Sequence, residues 1–218
     1  ATTLAIAESG ASVWGVDISA PMVARARART AELDNVTFSV NDASTADYNA
    51  EHHLIFSRFG VMFFDDPKAA FSNLRSALVG RGRLAFVCWQ PPEKNPFMSV
   101  AGRAAQPFLP ESEPQDPCAP GPFAFADPHW ITEVLDNAGF SDVNITSLNP
   151  HLAVGKTLDE SMYFQARVGP LARALSELDE SLQAEAKQAV RDALSGYETD
   201  DGVILPAAAW LVQAINPG

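Results

Sequence analysis

Three places in the chain gather residue types suited to holding a nucleotide-like ligand. The first is Asp17, at the end of the run ASVWGVDIS. This run is short, apolar and β-rich, and a helix start follows at Ser19. In open α/β sheets ligands bind beyond the carboxyl ends of the strands, where an acid can grip a ribose diol with two hydrogen bonds. The plainer role for Asp17 is to help cap the next helix. The second place is Asp42–Ala43, closing the alternating run NVTFSVNDA. A carboxylate there can accept from the exocyclic amine of a purine while Ala43 N–H reaches a ring nitrogen. The plainer role is a turn aspartate. The third is Ser57-Arg58-Phe59-Gly60-Val61-Met62-Phe63-Phe64, where an Arg-Phe-Gly turn and an aromatic pair interrupt a strand. Phe59 and Met62 could flank a flat base or a sulfonium, and Phe63 could line a substrate pocket. At least one of Met62, Phe63 and Phe64 must serve as core.

The elements that position these residues alternate in type. ATTLAIAESG reads as a helix stopped by Gly10. Ser19 caps the helix APMVARARARTAEL, with Pro21 in its first turn. NVTFSV and HLIFSRF are strands. Asp66–Pro67 opens the helix PKAAFSNLRSALV, ended by Gly80, and GRLAFVCWQ is the next strand. This β-α-β alternation predicts a parallel, doubly wound sheet with helices on both faces. Residues 91–126 are rich in proline and aromatic residues, with one helix over 95–108, and are long enough to suggest a lid. A helix capped at Asp127–Pro128 and closed by Gly139 leads into the strand FSDVNITSLN. Residues 157–194 read as helices broken near Gly169–Pro170 and Leu178–Asp179. GVILPAAAWLVQAIN reads as one long C-terminal strand, with Pro206 at an edge or bulge. The expected organisation is a single domain over 1–218. Its sheet core comprises 1–90, 127–149 and 203–216, and residues 91–126 and 150–202 form cap or lid insertions.

Composition narrows the function. The chain has 218 residues, 47% of them hydrophobic, which suffices for a sizeable core. Its net charge of −12 argues against a surface that tracks phosphates, so no nucleic-acid partner is expected. Two cysteines without a CxxC pair favour neither a disulfide framework nor a zinc site, and suit a reducing cytoplasm. No apolar run approaches the ~20 residues of a membrane helix, so no membrane partner is expected. His52–His53 lacks a third ligand at metal spacing, and no metal is expected. Cys88 reads as core, while Cys118 lies in the Pro-rich loop. His129, His151 and Asp65 are more simply structural than basic catalysts, so the catalytic residues remain unassigned.

Taken together, VWGVDISAPMVARAR, NDA, SRFGVMFFDDP and GRGRLAFVCWQ resemble the class I S-adenosylmethionine-dependent methyltransferases. Within them, the resemblance is to the methyltransferase-domain group with ubiquinone-biosynthesis C-methyltransferase relatives. It implies a Rossmann-like, doubly wound, mostly parallel α/β sheet with an antiparallel C-terminal strand and a helical cap. It further implies S-adenosyl-L-methionine as cofactor and methyl transfer to a small, fairly apolar organic acceptor. By resemblance, Asp17 binds the ribose hydroxyls, Ile18 packs on the adenine, and Asp42 and Ala43 hold the adenine edge. Ser57, Arg58 and Phe59 sit near the methionine end. Phe63, Trp89, Phe97 and Phe123 are candidates for the substrate wall. The family's Gly-rich loop is absent. It would lie about 20 residues before Asp17, immediately ahead of Ala1, so the natural protein is expected to begin earlier. The first strand of the sheet, central between the second and fourth, would then be missing too. That would leave two rows of backbone groups without partners. The alternatives are an NAD-dependent oxidoreductase, in which Asp17 would serve equally, and a non-catalytic Rossmann-like remnant or binding module.

Overall fold

The computed structural model describes residues 2–110, 116–165 and 170–218. Its elements begin with α1 (Thr2–Ala7), β1 (Val13–Asp17), α2 (Ala20–Arg29), β2 (Val36–Val40), β3 (His52–Arg58), α3 (Pro67–Ser76) and β4 (Leu78–Trp89). Then come α4 (Pro96–Ala105), α5 (Pro128–Asn137), β5 (Ser141–Leu148), β6 (His151–Gly155), α6 (Leu158–Gln165) and α7 (Pro170–Ser176). The chain finishes with α8 (Glu180–Ser195), β7 (Glu198–Thr199), β8 (Gly202–Pro206) and β9 (Ala209–Ile215). The helix ends follow local chemistry. Ser19 Oγ accepts from Met22 N–H at 3.4 Å, Asp66 Oδ1 from Ala69 N–H at 3.0 Å, and Asp179 Oδ1 from Leu182 N–H at 2.9 Å. Each satisfies an orphan donor of the first turn. Gly10 and Gly139 terminate α1 and α5 with φ of 85° and 83°.

One compact unit comprises Ala1–Val87, Pro128–Asn144 and Val212–Gly218. Within it β1 and β2 pair in parallel, from Val13 opposite Val36 to Asp17 opposite Val40. Gly15 stands opposite Phe38, and a Cβ there would lie 2.5 Å from the Phe38 ring, which would have to shift to admit it. β3 and β4 also pair in parallel, in a sheet ordered β3-β4-β9-β5. β9 runs against β4: Asn216 N–H donates to Gly82 O at 2.9 Å, and Gln90 N–H to Ala208 O at 3.0 Å. One face of β4 is buried through Leu84 and Phe86. The Phe86 ring lies 5.4 Å from that of Phe71 on α3, which is likewise fully buried. Burying each such side chain contributes about 1.5–3 kcal/mol. β1 and β2 form a separate two-stranded sheet. Trp14 on β1 and Leu54 and Phe56 on β3 are exposed apolar residues.

The other unit comprises Cys88–Asp127 and Ile145–Leu211. It holds an antiparallel sheet ordered β6-β8-β7. Its core gathers Ala101 and Ala105 of α4, Ala186, Val190 and Leu194 of α8, and Val203 and Leu205 of β8. The mixed architecture, mostly parallel in the central strands and antiparallel elsewhere, is a Rossmann-like α/β fold.

Two local expectations are corrected, and one strand lies outside the expected elements. GVILPAAAWLVQAIN is two strands in different sheets, because Pro206 cannot donate to a ladder and Ala208 N–H is taken by Asn95 Oδ1 at 2.8 Å. The helix after Pro67 ends at Ser76, and Leu78 and Val79 join β4. His151–Gly155 is a strand, stabilised by pairing with β8 rather than by any local pattern. The helix break at Gly169 and residues 111–115 of the Pro-rich segment lie outside the described residues.

Candidate functional site

The parallel register of β1 and β2 brings their carboxyl ends to one edge. Asp17 stands opposite Val40, and Asn41 N–H donates to Asp17 O at 3.1 Å. Asp17 and Asp42 are thus carried by adjacent strand tips. Asp17 Oδ1 accepts from Ser19 N–H at 2.8 Å. This bond closes a turn just ahead of the helix, whose cap is Ser19 itself, and orients the carboxylate. Ile18 next to it is 75% exposed, and Met22 one turn on is 58% exposed. A strand tip thus presents a carboxylate beside unburied apolar side chains.

Asp42 is oriented from its own turn. Its Oδ1 accepts from Ser44 Oγ at 2.6 Å and from Ser44 N–H at 2.8 Å. The Ser44 hydroxyl, then the Ser44 N–H, hold the carboxyl below its ordinary 3.8, so it stays anionic. Ala43 O accepts from the Tyr48 hydroxyl at 3.2 Å. Burial, and secondarily the charge of Asp42, push the Tyr48 phenol above 10.0. The Tyr48 ring meets Trp14 edge-on at 5.7 Å, and Trp14 Nε1 donates to Ser39 Oγ at 3.0 Å. β1, β2 and the loop after β2 are therefore tied into one support. Ser44 and Tyr48 were not singled out from sequence. The Asp-x-Ser spacing of an Asx turn was the available signal for Ser44, and nothing local marks Tyr48.

Ser57 and Arg58 end β3, with Arg58 opposite Val87. Phe59 then takes a φ of 58°, and its N–H donates to Val87 O at 2.9 Å. A bulky residue in the left-handed region stores strain of about 1–3 kcal/mol, which the surrounding structure must hold. The 3-10 turn Val61–Phe63 buries Met62 and leaves Phe63 54% exposed. Phe64 packs edge-on to Phe71 at 6.0 Å. Met62 and Phe64 are therefore packing residues, and Phe63 is the free one. In the other unit Trp89 and Phe97 have ring centroids 4.9 Å apart. Phe123 is half-buried in a turn whose Ala126 N–H donates to its carbonyl at 2.9 Å. Cys88 is buried, its Sγ 3.6 Å from Phe125 O, and burial pushes its thiol up to about 12. It is not a nucleophile. Asp65, His129 and His151 are exposed. Among the described residues no group of three His, Cys, Asp or Glu could hold a metal ion, and no helix is long and apolar enough to cross a membrane.

Residues 1–82 match the family described as "Methyltransferase domain". A protein of Bacillus halodurans C-125 aligns over 94% of this chain and 83% of its own, at 14% identity and a TM-score of 0.57. Haemonchus contortus phosphoethanolamine N-methyltransferase 2, solved with S-adenosylhomocysteine and phosphomonomethylethanolamine, aligns over 96% of this chain at 19% identity and a TM-score of 0.53. Only 44% of that longer chain is covered. Geranyl diphosphate C-methyltransferase from Streptomyces coelicolor A3(2), solved with Mg²⁺, geranyl diphosphate and S-adenosyl-L-homocysteine, aligns over 98% of this chain and 66% of its own. Its identity is 16% and its TM-score 0.51. No curated protein matches the chain. At these identities the likenesses establish the fold. That fold is the Rossmann-like α/β fold these structures share, and residues 1–82 match the methyltransferase-domain model.

Proposed function

We propose that this chain uses S-adenosyl-L-methionine to methylate a small, fairly apolar organic acceptor in the cytoplasm. The observation that carries it is the pair of carboxylates on adjacent parallel strand tips, each oriented by its own turn. Two structural relatives are solved with S-adenosylhomocysteine, which supports the same cofactor here. The cofactor's sulfonium supplies both the methyl group and the leaving group of an in-line displacement. In this proposal Asp17 accepts from the ribose hydroxyls, and Ile18 covers one face of the adenine. Asp42 accepts from the adenine amine, and Ala43 N–H donates to a ring nitrogen. Ser57, Arg58 and Phe59 hold the methionine end. Phe63, Trp89, Phe97 and Phe123 shield the acceptor from water, so that positioning and desolvation supply most of the acceleration.

Titration calorimetry with S-adenosylhomocysteine, on the wild type and on Asp17→Asn, tests this directly. The asparagine keeps Oδ1 for Ser19 N–H, so the turn leading into the Ser19-capped helix survives, while the charge and the ribose acceptor strength are lost. A charged hydrogen bond is worth about 1.5–3 kcal/mol, so affinity should fall roughly 10–100-fold without a change in fold. Binding of NADH but not of S-adenosylhomocysteine would overturn the proposal in favour of an oxidoreductase. Binding of neither would leave a non-catalytic module.

A further inference from the structure

The second unit carries a surface depression of about 430 Å³, within the size range of small-molecule sites. It lies beyond the carboxyl end of β5, lined by Glu93, Lys94, Asn149, Pro150, His151 and Pro206 among others. Its cation is held in place from below. Gln90 is fully buried, and its Nε2 donates to Ser147 Oγ at 2.7 Å and to Ala209 O at 3.0 Å. Both amide hydrogens are thereby used, so the orientation of the amide is settled. Its Oε1 accepts from Lys94 Nζ at 3.3 Å. The ammonium also stands 5.8 Å from the centroid of the Trp210 ring, and that indole is pinned by Nε1 donating to Ala126 O at 2.9 Å. Among the described residues no carboxylate lies within ion-pair distance of Lys94. An ammonium anchored by a neutral amide and an aromatic face spends one of its three N–H donors on that anchor and has the others for a ligand.

The rest of the lining limits what the cation can receive. Pro150 and Pro206 carry no N–H and offer apolar surface. Ser147 Oγ and Asn149 Oδ1 lie 3.3 Å apart, which leaves the Asn149 amide hydrogens as further donors. Glu93 lines the same depression, and its charge opposes any ligand carrying several negative charges. We infer that this depression binds a small organic monocarboxylate with an apolar body, its carboxylate on Lys94. The inference goes beyond the proposed methyl transfer and rests only on the geometry of Gln90, Lys94 and Trp210 within the second unit.

The test is an amide-resolved NMR titration of the full chain with hexanoate, hexanol and inorganic phosphate as probes. Hexanoate should shift the resonances of residues 93–95, 147–151 and 207–208, while hexanol and phosphate should shift them at least about tenfold more weakly at equal concentration. Lys94→Gln, an exposed substitution that leaves the buried amide of Gln90 in place, should weaken hexanoate binding by about the same factor. Equal binding of hexanol, tighter binding of phosphate, or unchanged hexanoate binding by Lys94→Gln would overturn the inference. S-adenosylhomocysteine is titrated separately and read at residues 17–18 and 42–44. If it binds and hexanoate does not, the monocarboxylate site fails and the methyltransferase proposal stands. If hexanoate binds and S-adenosylhomocysteine does not, the monocarboxylate site stands and the methyltransferase proposal fails.

Discussion

Asn95 is a buried polar residue of the second unit bonded to the backbone at both ends of its amide, and replacing it with alanine has a calculable cost. The side chain is fully buried. Its Nδ2 donates to Gln90 O at 2.8 Å, to Ala208 O at 3.0 Å and to Pro91 O at 3.2 Å, and its Oδ1 accepts from Ala208 N–H at 2.8 Å. In Asn95→Ala, Ala208 O keeps its bond from Gln90 N–H. Ala208 N–H and Gln90 O lose theirs. Two buried backbone groups left bare cost about 1–3 kcal/mol each, so about 2–6 kcal/mol in all. For a chain of this size, 1 kcal/mol corresponds to roughly 2–4 °C, which places the fall in Tm at roughly 5–20 °C. Asn95→Asp separates the donors from the acceptor. It can still accept from Ala208 N–H, but it turns a negative charge toward the three carbonyls of Gln90, Pro91 and Ala208. It should be destabilised at neutral pH and recover part of the loss once acid protonates it. Calorimetric melts of the three proteins across pH make the comparison. An Asn95→Ala protein melting within about 2 °C of wild type would refute the idea that these buried groups depend on Asn95.

Two further outcomes follow from the titrating groups. Asp42 is held below 3.8 in the folded chain, so its contribution to stability is present above that value and lost as pH falls through the folded one. Ser44→Ala removes the largest cause, so the Asp42 carboxyl should titrate closer to 3.8 in an NMR pH series. The stability difference between wild type and variant should be present at neutral pH and vanish in acid. An unmoved titration would sink the assignment of Ser44. Cys88, buried and pushed up to about 12, should resist an aromatic disulfide reagent at pH 8, whereas half-buried Cys118 reacts. Two fast-reacting thiols per native chain would contradict the packing described for β4.

The capping residues and the alternation of patterns made most elements of the first unit legible. Ser19, Asp66 and Gly139 act within a few residues of themselves, so their effect is written locally. The acids that end β1 and follow β2 were likewise visible, because an acid closing an apolar run is a feature of sequence alone. What surrounds them was not. Tyr48 reaches back to Ala43 O, and Trp14 meets Tyr48 only because β1 and the loop after β2 are brought together by parallel pairing. The split of the C-terminal segment into β8 and β9 was also hidden. An apolar run of that length reads as one strand until Asn95, 113 residues away, takes the N–H of Ala208. The depression at Lys94 belongs to the same class, since Gln90, Ser147 and Trp210 are distant in the chain and meet only in the folded unit. Sequence alone therefore determined the helix starts at Ser19 and Asp66, the strand tips and the two carboxylates, because capping and periodicity are short-range. Only the tertiary structure decided which donors and acceptors those tips meet, because those partners are set by strand pairing and burial across long separations.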